Sequence, residues 1–303
     1  MRQFLLWCSQ NRWLAAHVPR WPFARRAVKR FMPGEDFGTA LSAASSLKQQ
    51  NVGALFTLLG ENVSDAAGAA AVVKDYEDIL AAASGIGAEV SVKPTHLGLD
   101  VDPKAAYANL VRLARAVADA KSFLWVDMEG SDYVDRTLDL YVRVREEAPA
   151  VGIAIQAYLK RTPADITALL KSKTAIRLVK GAYAEPASIA YAGKRQVDAN
   201  YLALTAYMLP EVKRGNLRLV LGSHDVDLIR NAWRYGDAIG LERERFEIAM
   251  LYGIRTEEQL RLAGEGFPVR CLISYGDAWY AWYLRRLAER PANLLFAARQ
   301  LLP

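Results

Sequence analysis

The sequence predicts an α/β protein of the (β/α)8 barrel type. Three observations carry that reading. From Gly53 onward a short apolar strand followed by an amphipathic helix recurs eight times. The eight units occupy roughly 250 residues, the size of such a barrel. The first strand runs into Leu58-Leu59-Gly60-Glu61-Asn62-Val63-Ser64-Asp65, which is not the glycine-rich phosphate turn that a doubly wound open sheet usually carries at that point.

Before the first strand, residues 1–30 mix Phe4, Leu5, Leu6, Trp7 and Trp13 with Arg2, Arg12, Arg20, Arg25, Arg26, Lys29 and Arg30. The apolar run is too short to span a bilayer, and Arg12 interrupts it where a signal peptide needs an apolar core, so the stretch reads as helical and uncleaved. A basic, Trp-bearing amphipathic helix is compatible with a membrane surface, although packing on its own domain is the commoner arrangement. Pro33-Gly34 then breaks the chain, and Phe37, Leu41, Ala44 and Leu47 recur at helical spacing.

The strands are expected over Ala54–Leu59, Glu89–Lys93, Phe123–Met128, Gly152–Tyr158, Ala175–Ala182, Leu217–His224, Phe246–Tyr252 and Val269–Tyr275. Helix starts are signalled by Ser64, Asp102-Pro103, Ser131-Asp132, Thr162-Pro163 and Thr256, residues that cap or open a helix. Residues 1–50 form an N-terminal helical segment packed on the barrel, and residues 51–303 form the barrel itself.

Composition narrows the function classes. The chain has 303 residues and is 52% hydrophobic, ample for a large core. Thirty-nine basic residues against 33 acidic give a mild net charge of +6, without a charged tail. Only Cys8 and Cys271 are present, far apart in sequence, which argues against a disulfide framework and suits a reducing cytoplasm. Three histidines without paired spacing give no metal site, and no nucleic-acid motif is present.

The most informative stretch is the fifth strand, Ala175-Ile176-Arg177-Leu178-Val179-Lys180-Gly181-Ala182-Tyr183, which brings two cations along an apolar run to a glycine turn. Buried cations are costly without an anion, so these point either to a structural ion pair or to recognition of phosphate or carboxylate. Barrel chemistry sits at the C-terminal strand ends. Those ends carry Lys93, Pro94, Thr95 and His96, then Asp127 and Glu129, then Gln156 and Tyr158, then Ser223, His224 and Asp225, then Leu251 and Tyr252, then Ser274 and Tyr275. In the last helix Arg285 and Arg286 are adjacent, and so about 100° apart around its axis. Two guanidinium groups beside aromatic residues suit bidentate capture of a carboxylate, and pairing with Glu289 would occupy only one of them.

"RLVKGAY" resembles the fifth barrel strand of the flavin-dependent proline dehydrogenases, and the likeness extends through "VSVKPTHLGLD", "WVDMEGSDY", "GIAIQAYLKR", "LGSHDVDLI", "EIAMLYGI" and "WYLRRLAERPAN". The resemblance implies a distorted barrel that binds FAD without a covalent bond, with the final helix over the barrel mouth. It implies that Lys93, Arg285 and Arg286 hold the carboxylate of a cyclic amino acid and that Asp127 sits near the flavin and the substrate amine. Gln156, Arg177, Lys180, Ala182, Tyr183, Ser223 and His224 match flavin-contacting positions, and Leu251 an apolar wall. The implied chemistry is hydride transfer from the ring carbon beside nitrogen to flavin N5, with a quinone-like acceptor afterwards and a cytoplasmic location that allows contact with the inner membrane. A cation such as Arg177 would suit the negative charge the flavin gains.

Three positions depart from the family pattern. Leu272 stands where a substrate-contacting Tyr is common, Trp282 replaces a Tyr three residues before the first Arg, and Ala249 replaces a flavin-contacting Gln. These changes suggest that the substrate is a substituted or differently sized proline analogue. Two other readings stay open on the residues alone: a Schiff-base aldolase or lyase using Lys93 or Lys180, and a degenerate barrel that binds flavin or an amino acid without turnover.

Overall fold

A computed structural model describes residues 7–8 and 11–289 of the chain. Eight parallel strands close into a barrel in sequence order. They are β1 (Val52–Leu58), β2 (Glu89–Val92), β3 (Leu124–Val126), β4 (Val151–Gln156), β5 (Thr174–Val179), β6 (Leu217–Gly222), β7 (Glu247–Leu251) and β8 (Val269–Tyr275). Closure is made by β1 on β8, in register from Val52 opposite Val269 to Leu58 opposite Tyr275. Helices α1 (Arg12–His17), α2 (Pro22–Val28) and α3 (Phe37–Lys48) precede the barrel. After successive strands come α4 (Ala66–Ala83), α5 (Pro103–Asp119), α6 (Val134–Glu147), α7 (Thr162–Leu169), α8 (Lys194–Arg214), α9 (Val226–Ala238), α10 (Thr256–Gly264) and α11 (Trp279–Glu289).

The eight expected strands and the helices between them are present, with small differences at their ends; residues 1–6 and 9–10 of the expected N-terminal helical stretch lie outside the described residues. The first cap is Asp65, whose carboxylate accepts from Gly68 N, and not Ser64. Asp102 caps α5 as expected, accepting from Lys104 N. Ser131 and Asp132 open a short 3-10 turn before α6, while α10 is entered through Arg255 in the left-handed region at φ 55°.

Alternation along the strands divides the core in two. Ile176, Leu178, Leu219, Leu221, Ile248, Met250, Cys271 and Ile273 face the helix layer in one large cluster. Leu55, Trp125, Ala175, Val220 and Ala249 meet inside the barrel. Beside Trp125 lies a second, charged group: Arg218 Nη2 to Glu89 at 2.7 Å and to Glu247 at 2.7 Å, and Arg270 to Glu89 at 2.9 Å. Trp125 Nε1 donates to Glu89 at 2.7 Å, and the Arg218 guanidinium lies 4.4 Å from the Phe123 ring centre. Burial opposes the charge on Arg218, but the hydrogen bonds and charges of Glu247 and Glu89 outweigh it and hold that pKa up.

The N-terminal segment is stitched to the far end of the chain. Ala24, Ala27, Val28, Phe31 and Met32 share one apolar cluster with Leu59, Leu251 and the α11 residues Trp279, Tyr280, Trp282, Tyr283 and Leu287. Leu59 follows β1 and Leu251 ends β7, so α11 and α2 together cover the C-terminal end of the barrel. Gly253, at φ +71°, lets the backbone of Arg30 approach; a Cβ there would lie 1.5 Å from its carbonyl oxygen. Trp279 Nε1 donates to Glu35 at 2.9 Å, and the Tyr280 hydroxyl donates to Cys8 O at 3.2 Å.

Removing one member of the charged group inside the barrel leaves its carboxylates undercompensated. Arg218→Met is expected to cost about 3–5 kcal/mol in urea unfolding. A loss below about 1 kcal/mol would mean that the group is screened as an exposed pair is.

Candidate active site at the barrel mouth

Arg177 is the centre of the site. Its neighbours Ile176 and Leu178 face the helices, so the β-strand period turns Arg177 inward, where it is 5% exposed. Its Nη2 pairs with Asp127 Oδ1, beyond the end of β3, and donates to Ser91 Oγ at 3.0 Å. Ser91 Oγ donates in turn to Asp127 Oδ1 at 2.7 Å. The guanidinium carbon lies 5.5 Å from the Trp125 ring centre. Its Nη1 is buried without a hydrogen-bond partner among the described residues. Asp127 is less enclosed, with 22% of its side chain exposed, and its backbone N donates to Val92 O at 2.8 Å.

Gln156, at the end of β4, is buried and donates through Nε2 to the carbonyls of Met128 at 3.2 Å and Glu129 at 3.1 Å. Those bonds fix the amide and leave Oε1 buried with no donor among the described residues. Arg177 thus keeps a spare donor and Gln156 a spare acceptor in the barrel of one chain, and a C=O group and an N–H group are the partners the two call for.

Beyond β5 the chain turns at Gly181, whose φ of +110° and closeness to the Tyr158 ring leave no room for a Cβ. Lys180, just before it, pairs with Asp198 at 2.5 Å and Asp225 at 3.2 Å, and Lys194 pairs with the same two carboxylates. A Schiff-base lysine needs an unpaired, desolvated amine, so Lys180 is set up for the opposite role. Ala182 and Tyr183 are half-buried on the loop that follows. The same loop brings Glu185 to Ser131, accepting from its N at 2.7 Å and its Oγ at 2.5 Å. Ser223 is buried after β6 and accepts from Asp225 N at 3.1 Å; His224 beside it is half-buried.

The expected wall residues share one apolar cluster. Leu251, Leu272 and Trp282 belong to the cluster under α11, and Leu272 also touches the interior group around Trp125. Ala249 is different: it packs inside the barrel with Trp125 and Val220. Arg285 and Arg286 lie on α11, and their side chains fall outside the described residues.

Lys93 follows β2, half-buried, and forms no ion pair among the described residues. Near it lies Glu129, a residue to which neither the residue pattern nor the family resemblance assigns a role. Glu129 is 3% exposed, and it accepts from Thr95 N at 3.0 Å and from Thr95 Oγ1 at 2.6 Å. It therefore clamps the Pro94–Leu97 turn that follows Lys93. The available signal was its period-two spacing from Asp127, which places both on one face. Burial pushes Glu129 up to about 7, against the Thr95 hydrogen bonds and the Lys93 charge. Burial also pushes His96 down to about 4, with Lys93 adding to the effect.

The Glu129 value lies above the ordinary 4.5, so its neutral form favours the fold at low pH, and that contribution is lost as the pH rises through about 7. Glu129→Gln can keep both Thr95 bonds while removing the charge. Between pH 5 and pH 8 the wild type should lose about 2–3 kcal/mol of unfolding free energy relative to that variant. Parallel stability curves would contradict a titrating, buried Glu129.

The geometry has relatives. The family model described as proline dehydrogenase matches residues 40–299. The chain is 32% identical over 298 residues to proline dehydrogenase 2 of Bacillus subtilis, covering 98% of this chain and 97% of that protein. It is 36% identical over 282 residues to a proline dehydrogenase of Deinococcus radiodurans, covering 91% of this chain and 90% of the relative. Among solved structures, it is similar in fold to proline utilization A (PutA) from Bdellovibrio bacteriovorus, with a TM-score of 0.81 and 21% identity, covering 95% of this chain and 38% of that one. A matching family model, two nearly full-length relatives and a closed barrel with a charged, partly unsatisfied interior agree: the chain belongs to the proline dehydrogenase family.

Proposed function

We propose that the chain is an FAD-dependent dehydrogenase that oxidises L-proline or a close cyclic analogue to the ring imine, with electrons leaving to a quinone-type acceptor. The observation that carries this reading is the pair of unsatisfied buried groups, Arg177 Nη1 and Gln156 Oε1, inside the barrel of a chain from a flavin-dependent family. They fit the polar edge of a flavin ring, and Lys180, Ala182, Tyr183, Ser223 and His224 line the strand ends where the rest of FAD would be held. Bound FAD would supply a two-electron acceptor for the hydride that leaves the carbon beside the ring nitrogen.

The chain's own residues would then bind, orient and exclude water. Lys93, half-buried and without an ion-pair partner among the described residues, supports a carboxylate site shared with Arg285 and Arg286. Asp127, oriented by Ser91 and Arg177, would face the substrate amine. Leu251, Leu272 and Trp282 would form the dry wall of the substrate pocket. A dry, cation-lined pocket favours the neutral amine, the form that can give up hydride.

The purified protein is expected to show flavin absorption that L-proline or an analogue bleaches anaerobically. Absence of flavin, even after reconstitution with FAD, would overturn the reading. With Leu272 and Trp282 at altered positions, at least one of 4-hydroxyproline and pipecolate should reach a kcat/KM within about tenfold of L-proline, since a single pocket contact discriminates by that order. If L-proline exceeds every analogue by far more, the pocket is an ordinary proline pocket.

A further inference from the structure

Lys93 stands one residue beyond the ladder of β2, which ends where Val92 lies opposite Val126. Strand pairing therefore does not hold it. Pro94 restricts it from one side, since a residue before proline is kept extended, and Lys93 has φ -94° and ψ 133°. From the other side its carbonyl accepts from His96 N at 3.0 Å and from Leu97 N at 3.2 Å, which joins Lys93 to the tight turn over Pro94–Leu97. The ammonium is placed only as well as that turn is.

Three other units of the barrel hold the turn, two of them directly at Thr95, which is fully buried. From the end of β3, Glu129 accepts from Thr95 N at 3.0 Å and from Thr95 Oγ1 at 2.6 Å. From the loop after β1, Asn62 N donates to Thr95 Oγ1 at 3.2 Å and Val63 N to Thr95 O at 3.4 Å. From β4, Gln156 Nε2 donates to the Glu129 carbonyl at 3.1 Å, so the backbone that carries the carboxylate is itself pinned. The Thr95 hydroxyl thus donates toward β3 and accepts from the β1 loop, and its β-branched side chain has little rotamer freedom to leave either. Burying a carboxylate is costly, and both oxygens of this one face the turn that Lys93 opens.

We infer that Thr95 and Glu129 are positioning residues for substrate binding: they fix the Pro94–Leu97 turn, and through it the Lys93 ammonium that meets the substrate carboxylate. A lysine is a point charge on a flexible stem, so its placement depends on its backbone more than that of a forked guanidinium does. The inference rests on the carboxylate site of the proposed function and not on the flavin chemistry. A contact that fixes the bound carboxylate acts on the ground state and the transition state alike, so its loss appears in KM more than in kcat.

The test uses the full chain loaded with FAD. Binding of cyclopentanecarboxylate, a ring that carries the carboxylate and has no amine to oxidise, is measured by calorimetry beside steady-state kinetics with L-proline. Thr95→Val removes the hydroxyl and leaves Thr95 N its bond to Glu129. It is expected to weaken the probe about tenfold and to raise KM by a similar factor, with kcat within about twofold of wild type. Thr95→Ser restores the hydroxyl and should return both values to wild type. In a Lys93→Ala background, Thr95→Val should cost less than about twofold more, because the residue it acts through is gone. Thr95→Ala, which also lacks the hydroxyl, takes its place should Thr95→Val not fold. Unchanged probe binding in the hydroxyl-free variant, or the same tenfold loss in the Lys93→Ala background, would overturn the inference. Probe binding that follows the expected pattern in a protein whose flavin no ring amine bleaches would overturn the proposed oxidation and support the positioning role, so the two failures are told apart.

Discussion

The buried pair of Arg177 and Asp127 is the constraint around which the barrel is arranged. Taking a guanidinium out of water is expensive, and one carboxylate compensates it only with good geometry and further hydrogen bonds. Ser91 supplies one such bond to each partner. Arg177 also needs Trp125 beside it, whose indole is anchored by Glu89, and Glu89 in turn belongs to the group with Arg218, Glu247 and Arg270. Two charged groups therefore flank the Trp125 ring inside the barrel, and alternating inward positions on the strands put them there.

The mouth depends on segments that are distant in sequence. Leu251 and Leu272 come from β7 and β8, and Trp282 from α11, yet all are held by the cluster that includes Ala24, Val28 and Phe31 of the N-terminal segment. Gly253 admits the backbone of Arg30 against the β7 turn. The cover of the site is thus a joint product of both ends of the described chain. Its described packing is apolar, so it excludes water from the mouth.

The barrel was legible because each strand is short and apolar and is followed by a helix, and those are local signals. Strand ends were less so: β5 ends at Val179 and not at Ala182, because Lys180 already belongs to the turn that Gly181 makes at φ +110°. The demand for anions near Arg177 and Lys180 was also legible. Which anions answer it was not, since Asp127, Asp198 and Asp225 come from separate units. The group of Glu89, Arg218, Glu247 and Arg270 escaped for the same reason, as it needs the register of β2, β6, β7 and β8 together. Glu129 could have been found by counting two residues from Asp127.

In the proposed reaction a carboxylate such as Asp127 holds a proton on the substrate amine, and cationic surroundings drive it off. The structure bears on that balance. The carboxylate of Asp127 already answers Arg177 and Ser91, so much of its charge is cancelled on the barrel side before it acts on the mouth. Lys93 makes no ion pair among the described residues, and the wall of Leu251, Leu272 and Trp282 offers none. In the proposed reaction an amine between them would meet a cation without an ion-pair partner among the described residues, an apolar surface and a carboxylate that is already engaged. Each of the first two favours the neutral amine, and the third opposes it with a reduced field. In the proposed reaction, Asp127 thus orients the substrate more than it charges it, and Arg177 makes that division possible from inside the barrel.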